Sequence, residues 1–160
     1  MNNTIIVGMA DYKVGKTPAK LMTVGLGSCI GVCIYDLQSQ IGGLAHIMLP
    51  SSSENSGGKE TKYADTCLEL MLSDLYKLGA RAGRLKAKMA GGAQMFSFAG
   101  KASLLKIGER NTQAVEQELQ KAGIPLIASD VGGTYGRTIC FDLATGELFI
   151  KTINQGEKVI

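Results

Sequence analysis

Glycine and polar residues interrupt this chain so often that only two segments are long enough for amphipathic helices. In residues 62–78 the apolar side chains recur at helical spacing with charged side chains opposite, and Gly79 follows as a terminator. Residues 109–122 show the same pattern and end before Gly123. All other apolar segments are short, as strands are. The pattern therefore predicts an α/β (α+β) protein whose helices pack on one side of mixed or antiparallel sheets.

The short apolar segments are bounded by glycine or polar residues, which is typical of strands joined by turns. Apolar residues alternate along residues 29–35, and residues 41–49 follow after a short turn as the antiparallel partner. Residues 11–20 are polar and contain glycine and proline, so they are predicted to form a loop. The remaining predicted strands are residues 4–9, 21–26, 84–90, 125–129, 135–143 and 147–153, with 103–107 as a further extended candidate.

Composition excludes several classes of protein. The 160 residues suit a single domain, residues 1–160, and 45% hydrophobic with 19% charged residues indicate a folded rather than a disordered chain. A net charge of +3, with no basic run, argues against nucleic-acid binding. No apolar run approaches the roughly 20 residues that span a bilayer, and the N-terminus lacks a signal-peptide pattern. We therefore expect a cytoplasmic protein without membrane insertion, whose four cysteines stay reduced.

The only histidine of the chain, His46, lies on the predicted strand that pairs with the segment after Cys29. Cys29 itself ends a glycine-rich turn, residues 25–29. Histidine is the side chain that titrates near neutral pH, and a thiol attacks an acyl carbon only as its thiolate. Cys29 and His46 are therefore candidates for a nucleophile and its general base, brought close by adjacent antiparallel strands.

A thiol nucleophile needs two further groups. Negative charge develops on the attacked carbonyl oxygen and needs preorganised N–H donors, for which the turn amides of Gly27 and Ser28 are candidates. The imidazole needs a group that holds its ring, and Thr23 on the incoming strand offers a hydroxyl or a carbonyl. A simpler interpretation stays open, in which Cys29 is an inert core residue and His46 a structural one.

Metal and cofactor sites find little support in the sequence. Cys29, Cys33 and His46 could together ligate zinc, but their spacing matches no common zinc pattern. The glycine pairs at 91–92 and 132–133 form neither a P-loop nor a dinucleotide fingerprint. We therefore expect no metal and no cofactor.

Two loops are candidates for contacts with other molecules. Met95 and Phe96 lie in a loop rich in glycine, alanine and serine, and they form either a lid on the core or a contact for a partner. Residues 51–61 are polar and begin shortly after His46. They form either a mobile flap beside the candidate site or a solvated loop.

Five motifs, in this order and spread over nearly the whole chain, resemble the CheD family of chemoreceptor glutamine deamidases. They are Thr23-Val-Gly-Leu-Gly-Ser-Cys29, Gly43-Leu-Ala-His46-Ile-Met-Leu-Pro50, Lys62-Tyr-Ala-Asp65, Lys88-Met-Ala-Gly-Gly-Ala93 and Ile107-Gly-Glu-Arg-Asn111. Each motif alone is weak, whereas the ordered set is specific.

The resemblance implies a cytoplasmic enzyme that converts selected glutamines on the cytoplasmic helices of chemoreceptors to glutamate, through a cysteine thioester, in chemotaxis adaptation. It implies Cys29 as nucleophile, His46 as base and later acid, and Thr23 as the residue that orients the imidazole. It also implies a three-layer α/β/β sandwich like that of toxin deamidases, no cofactor, and inhibition by the phosphatase CheC. One alternative remains, a non-catalytic binding module that engages and stimulates CheC or the receptor.

Overall fold

A computed structural model describes residues 3–53, 59–95 and 106–160. Within these ranges the chain forms two five-stranded sheets and two α-helices. The helices are α1 (Ala64–Leu78) and α2 (Ile107–Lys121), and short 3-10 turns occur at Glu60–Lys62 and Ala82–Arg84. The strands are β1 (Thr4–Ile6), β2 (Asp11–Lys16), β3 (Lys20–Leu26), β4 (Ile30–Asp36), β5 (Ile41–Ile47), β6 (Lys86–Gly91), β7 (Leu126–Val131), β8 (Arg137–Asp142), β9 (Leu148–Thr152) and β10 (Gly156–Val159).

The two sheets stack in layers with the helices. The inner sheet has the order β2-β5-β4-β6-β7 and is antiparallel except for the parallel pair β6 and β7. The outer sheet has the order β1-β3-β8-β9-β10 and is antiparallel except for β1 and β3. Every residue of β4 and β5 is buried, because the helices cover one face of the inner sheet and the outer sheet covers the other. This confirms the predicted three-layer α/β/β sandwich.

The alternation of side chains along β4 divides the core into two parts. Ile30, Val32 and Ile34 pack with the helices, whereas Cys33 and Tyr35 pack with the outer sheet. The helical side of the core is closed by Cys67, Leu68, Met71 and Leu75 of α1 and by Val115 and Leu119 of α2. Neither described helix is long and apolar enough to cross a membrane.

Residues 11–20 were predicted to be a loop, and this is wrong for the first part. Asp11–Lys16 forms β2, the edge strand that pairs with β5. Its polar residues are tolerated because an edge strand is half exposed, while Tyr12 and Val14 pack on the helical core. The strand was not predicted because only two of its six residues are apolar and the others are charged or glycine.

Other differences concern the ends of elements. A 3-10 turn occupies the predicted start of the first helix, and α1 begins at Ala64. The second helix begins at Ile107, so the end of the candidate extended segment 103–107 is helical, and residues 103–105 lie outside the described residues. The strand β10 was not predicted, because its sequence is mostly polar and all four of its residues are exposed.

Candidate active site

The candidate site lies where the chain passes from the outer sheet to the inner sheet. Thr23 lies on β3 of the outer sheet, and Cys29 ends the turn between β3 and β4. His46 lies on β5, opposite Gly31 of β4. Because β4 and β5 are antiparallel neighbours, the start of β4 and the end of β5 adjoin. Residues from both sheets therefore contribute to one site.

The Thr23 hydroxyl determines which nitrogen of His46 carries a proton. Its oxygen lies 2.7 Å from the carbonyl oxygen of Val7 and 2.7 Å from His46 Nδ1. A carbonyl can only accept, so the single hydroxyl proton is donated to Val7, and the Thr23 oxygen accepts a hydrogen bond from Nδ1–H. His46 is therefore the Nδ1–H tautomer, which leaves a lone pair on Nε2.

This second nitrogen is available as a base. Nε2 of His46 is buried and has no hydrogen-bond partner within the described residues. Buried polar atoms are normally paired, so an unpaired one in a residue only 1% exposed needs an explanation. A nitrogen that must accept a proton during a reaction provides one, since a permanent donor would occupy its lone pair.

Burial acts on both titratable groups of the site. It raises the pKa of the Cys29 thiol, although the backbone amide of Cys29 itself lies close enough to the sulfur to oppose the shift. Burial also lowers the pKa of the His46 imidazole. Both shifts disfavour the charged form of the group concerned, so burial opposes a preformed pair of thiolate and imidazolium.

The carbonyls of Gly27, Ser28 and Cys29 each accept a hydrogen bond. Gly27 O accepts from the amide of Ala93 at 2.9 Å, and Cys29 O accepts from the amide of Gly92 at 2.9 Å. Ser28 O accepts from Asn111 Nδ2 at 3.0 Å. Neither the amide of Ser28 nor that of Cys29 has a protein acceptor within the described residues. Two N–H groups of the turn are thus available to an external acceptor.

The predicted contact residues lie only partly within the described ranges. Met95 is 44% exposed, and its Cγ would lie only 3.1 Å from a Cβ added at Gly27, so it packs closely on the turn. Phe96 lies outside the described residues, as do residues 54–58 of the polar loop 51–61. The start of that loop is anchored on α1, because the hydroxyl of Ser52 donates to Asp65 at 2.9 Å.

The structure does not gather the cysteines into a ligand set. Within residues 3–53, 59–95 and 106–160, no group of three or more His, Cys, Asp or Glu side chains is arranged to hold a metal ion. Cys33 is fully buried between the two sheets, where burial raises the pKa of its thiol. Its environment is that of a core residue.

Two residues of the site were not predicted from the sequence to have a role in it. Val7 was only part of a predicted strand, and its role comes from a backbone carbonyl that no side-chain pattern reveals. Asn111 did carry a signal, because it precedes Val115 and Leu119 at helical spacing and is fully buried with them. An amide at a core position of an apolar helix face is costly unless it is bonded, and this could have identified it.

Two relatives match this chain over its whole length, and a family model matches most of it. A protein-family model described as "CheD chemotactic sensory transduction" matches residues 48–152. A Desulfitobacterium hafniense protein named "Probable chemoreceptor glutamine deamidase CheD" is 58% identical over 160 residues, covering 100% of both chains. A Halalkalibacterium halodurans protein named "Chemoreceptor glutamine deamidase CheD" is 51% identical over 162 residues, again covering 100% of both. The alignments with these relatives include the N-terminal part, with Cys29 and His46, that the family-model match does not reach.

Among solved structures, Bacillus licheniformis hypothetical protein YfiH is similar in fold. Its TM-score is 0.50 at 15% sequence identity, and the match covers 78% of this chain and 51% of that one. At this identity the similarity shows the fold alone.

Proposed function

The chain belongs to the CheD family of chemoreceptor glutamine deamidases, and we propose that Cys29, His46 and Thr23 carry out its reaction. The observation that carries this proposal is the hydrogen bonding of His46. Its Nδ1 is held by Thr23 at 2.7 Å, while its buried Nε2 is unpartnered within the described residues. His46 is thus oriented by a third group, as the base of a thiol nucleophile must be, and its Nε2 is free to accept a proton. Within the described residues Nε2 makes no hydrogen bond to Cys29, so the thiol must approach it during the reaction.

In the proposed reaction Cys29 Sγ attacks the carbon of a glutamine side-chain amide, and His46 Nε2 takes the thiol proton. The same Nε2–H then protonates the amide nitrogen as the C–N bond breaks, which releases ammonia and leaves a thioester. Water attacks the thioester, with Nε2 as the base again, and the proton returns to the sulfur. The products are glutamate and the free thiol, so neither a metal nor a cofactor is needed.

The burial of both groups has a consequence for this first step. Because burial disfavours both thiolate and imidazolium, the proton passes from Cys29 to His46 as the sulfur approaches the amide carbon. The step then creates an imidazolium on His46 and an oxyanion on the substrate, and the oxyanion needs hydrogen-bond donors. The unbonded amides of Ser28 and Cys29 are the proposed donors, each worth roughly 3 kcal/mol of barrier; Gly27 contributes the absence of a side chain where Met95 packs on the turn.

The proposed substrate is a glutamine on a cytoplasmic helix of a chemoreceptor. Helical backbone amides are hydrogen-bonded, whereas a glutamine side chain extends its amide away from the helix, and Cys29 is only 9% exposed. A recessed thiol is reached by such a side chain and not by the main chain. We place the reaction in the cytoplasm, where these helices lie, and propose the half-exposed Met95, together with Phe96, as a contact for the receptor or for CheC.

The alternative of a non-catalytic binding module has no specific observation in its favour. It would require neither a vacant Nε2 nor a tautomer fixed by Thr23. The two possibilities nevertheless predict different effects of replacing Thr23, which orients His46 and does not bind the substrate.

Replacing Thr23 tests the proposal through the bond that carries it. Thr23→Val removes the hydroxyl at nearly constant volume, so Nδ1 loses its partner, and we expect ammonia release from a receptor cytoplasmic fragment to fall by about 10²-fold or more. Thr23→Ser keeps the hydroxyl and should retain the rate within a few-fold. Equal rates for the two variants, both folded, would remove Thr23 from the mechanism.

A further inference from the structure

We propose that Asn111 is a positioning residue that aims the backbone amide of Cys29 at the reacting oxygen and so assembles the oxyanion hole. The inference rests on the proposed function, because an oxyanion forms only if Cys29 attacks an amide. Asn111 is on α2, outside the three residues that carry the chemistry, and it acts on them only through the backbone.

The contacts of Asn111 fix the orientation of its side chain. Its Nδ2 donates to Ser28 O at 3.0 Å and to Met48 O at 2.9 Å. Both partners are carbonyls and can only accept, so the NH₂ group and not the amide oxygen must face them. The two hydrogens of Nδ2 are thereby both used, and the side chain is 0% exposed.

The first contact fixes a peptide plane. Ser28 C=O and Cys29 N–H belong to the same peptide unit, which is planar and trans, so the two groups point in opposite directions. While Asn111 holds the carbonyl on its side, the Cys29 amide must point to the other. That amide lies near the Cys29 sulfur and has no protein acceptor within the described residues. A flip of this peptide would replace the donor by a carbonyl oxygen.

Neighbouring peptides are held in the same way. The amide of Ala93 holds Gly27 O, which sets the direction of Ser28 N–H, and the amide of Gly92 holds Cys29 O. These two clamps come from the backbone. Of the three donors that hold these carbonyls within the described residues, only Asn111 is a side chain. It is therefore the donor that a substitution can remove.

The second contact joins the nucleophile to the base. Met48 directly follows β5, whose penultimate residue is His46. A single amide group therefore spans from the turn that carries Cys29 to the end of the strand that carries His46. Removing it releases the direction of the Cys29 amide, whereas the backbone pairing of β4 with β5 still holds the two strand ends together.

The location of Asn111 supports a functional rather than a packing role. It occupies the face of α2 that buries Val115 and Leu119, where an apolar residue would pack without cost. Its Oδ1 is buried and unpartnered within the described residues. A polar residue with an unpaired atom at a core position is costly, and the two carbonyls that it holds account for its presence.

The test compares two reactions of Cys29 in Asn111→Ala and in the nearly isosteric Asn111→Asp. Deamidation passes through an oxyanion, whereas alkylation by iodoacetamide displaces iodide at a saturated carbon and develops none. We expect kcat for ammonia release from a receptor fragment to fall by about 10²- to 10³-fold, as for loss of one oxyanion donor, with KM changed by less than about 3-fold. The rate of Cys29 alkylation should fall by far less than kcat in the same variants, because alkylation develops no oxyanion.

Val115→Ala is the matched control, since it removes buried atoms from the same helix face without touching the turn. It should lower stability and leave kcat near wild type. The inference is overturned if either folded Asn111 variant keeps wild-type kcat, or if alkylation falls in step with kcat. A Cys29→Ala arm separates the two proposals: ammonia release that persists in Cys29→Ala refutes the proposed function itself, whereas Cys29-dependent release that survives loss of Asn111 refutes only this inference.

Discussion

Individual protons decide the chemistry of this site. The Thr23 hydroxyl has one hydrogen and two close partners, and because Val7 can only accept, His46 must donate from Nδ1. Val7 is itself attached to β3, since its amide donates to Met22 O at 2.7 Å. The Val7 carbonyl thus lies at the end of the series of hydrogen bonds from His46 through Thr23, where many hydrolases have a carboxylate. Unlike a carboxylate, it places no negative charge near the buried imidazole.

The pKa shifts of the pair predict a pH profile. Burial lowers the pKa of His46 below its ordinary value of 6.5 and raises that of Cys29 above 9.0. In the reactive form the Cys29 thiol is protonated and His46 Nε2 is not. This form is lost when His46 is protonated in acid and when the thiol ionises in alkali. We expect the acid limb of kcat/KM for deamidation to have its midpoint below pH 6.5 and the alkaline limb to have its midpoint above pH 9.0.

The same shift affects stability. Since the unfolded chain binds a proton on His46 at a higher pH than the folded chain does, the free energy of unfolding should decrease as the pH falls below about 6.5. A titration of kcat/KM and of thermal unfolding on one preparation measures both effects. An acid limb with its midpoint above pH 6.5 would show that the imidazole is stabilised as a cation, contrary to its burial.

At the scale of elements, the strand pair that brings Cys29 and His46 together was predictable from local sequence patterns. Alternation in β4 and β5 predicted an antiparallel pair, and this pairing alone places Cys29 near the strand of His46. Val7 was not predictable as a site residue, because it contributes only a backbone carbonyl. Asn111 carried a signal, a buried amide on an apolar helix face, but its backbone partners are distant in sequence and could not be predicted. The edge strand β2 was missed since its burial is one-sided and most of its residues are polar.

Close packing of β6 against the turn gives a prediction at this scale. Gly91 has φ +119, and a Cβ there would lie 2.2 Å from the carbonyl oxygen of Cys29. Gly91→Ala should therefore displace that carbonyl from its Gly92 donor, reduce kcat by at least about 10-fold, and destabilise the fold by about 1–3 kcal/mol from backbone strain. Thermal unfolding and ammonia release measure the two effects.

Gly83→Ala is the control for that substitution. Gly83 has no heavy atom within 4 Å of an added Cβ and no positive φ, so its replacement should leave both stability and kcat unchanged. If Gly91→Ala behaves like this control, the turn does not depend on contact with β6.

At the scale of the whole molecule, the site exists only where the two sheets meet. The outer sheet supplies Thr23, and the inner sheet supplies His46. Cys29 lies on the turn that connects them, and α2 adds Asn111 from the third layer. All three layers of the sandwich therefore contribute residues to this set.

The most direct test is the intact mass of a chemoreceptor cytoplasmic fragment after incubation with wild type, Cys29→Ala or Cys140→Ala protein. Each deamidation replaces NH₂ by OH and adds about 1 Da. Cys140 is a half-buried cysteine on the outer sheet, so its variant controls for loss of a thiol elsewhere. We predict the mass gain with wild type and Cys140→Ala and none with Cys29→Ala, although a pull-down should show that Cys29→Ala still binds the fragment. A mass gain that persists in Cys29→Ala would contradict the assignment of Cys29 as the nucleophile.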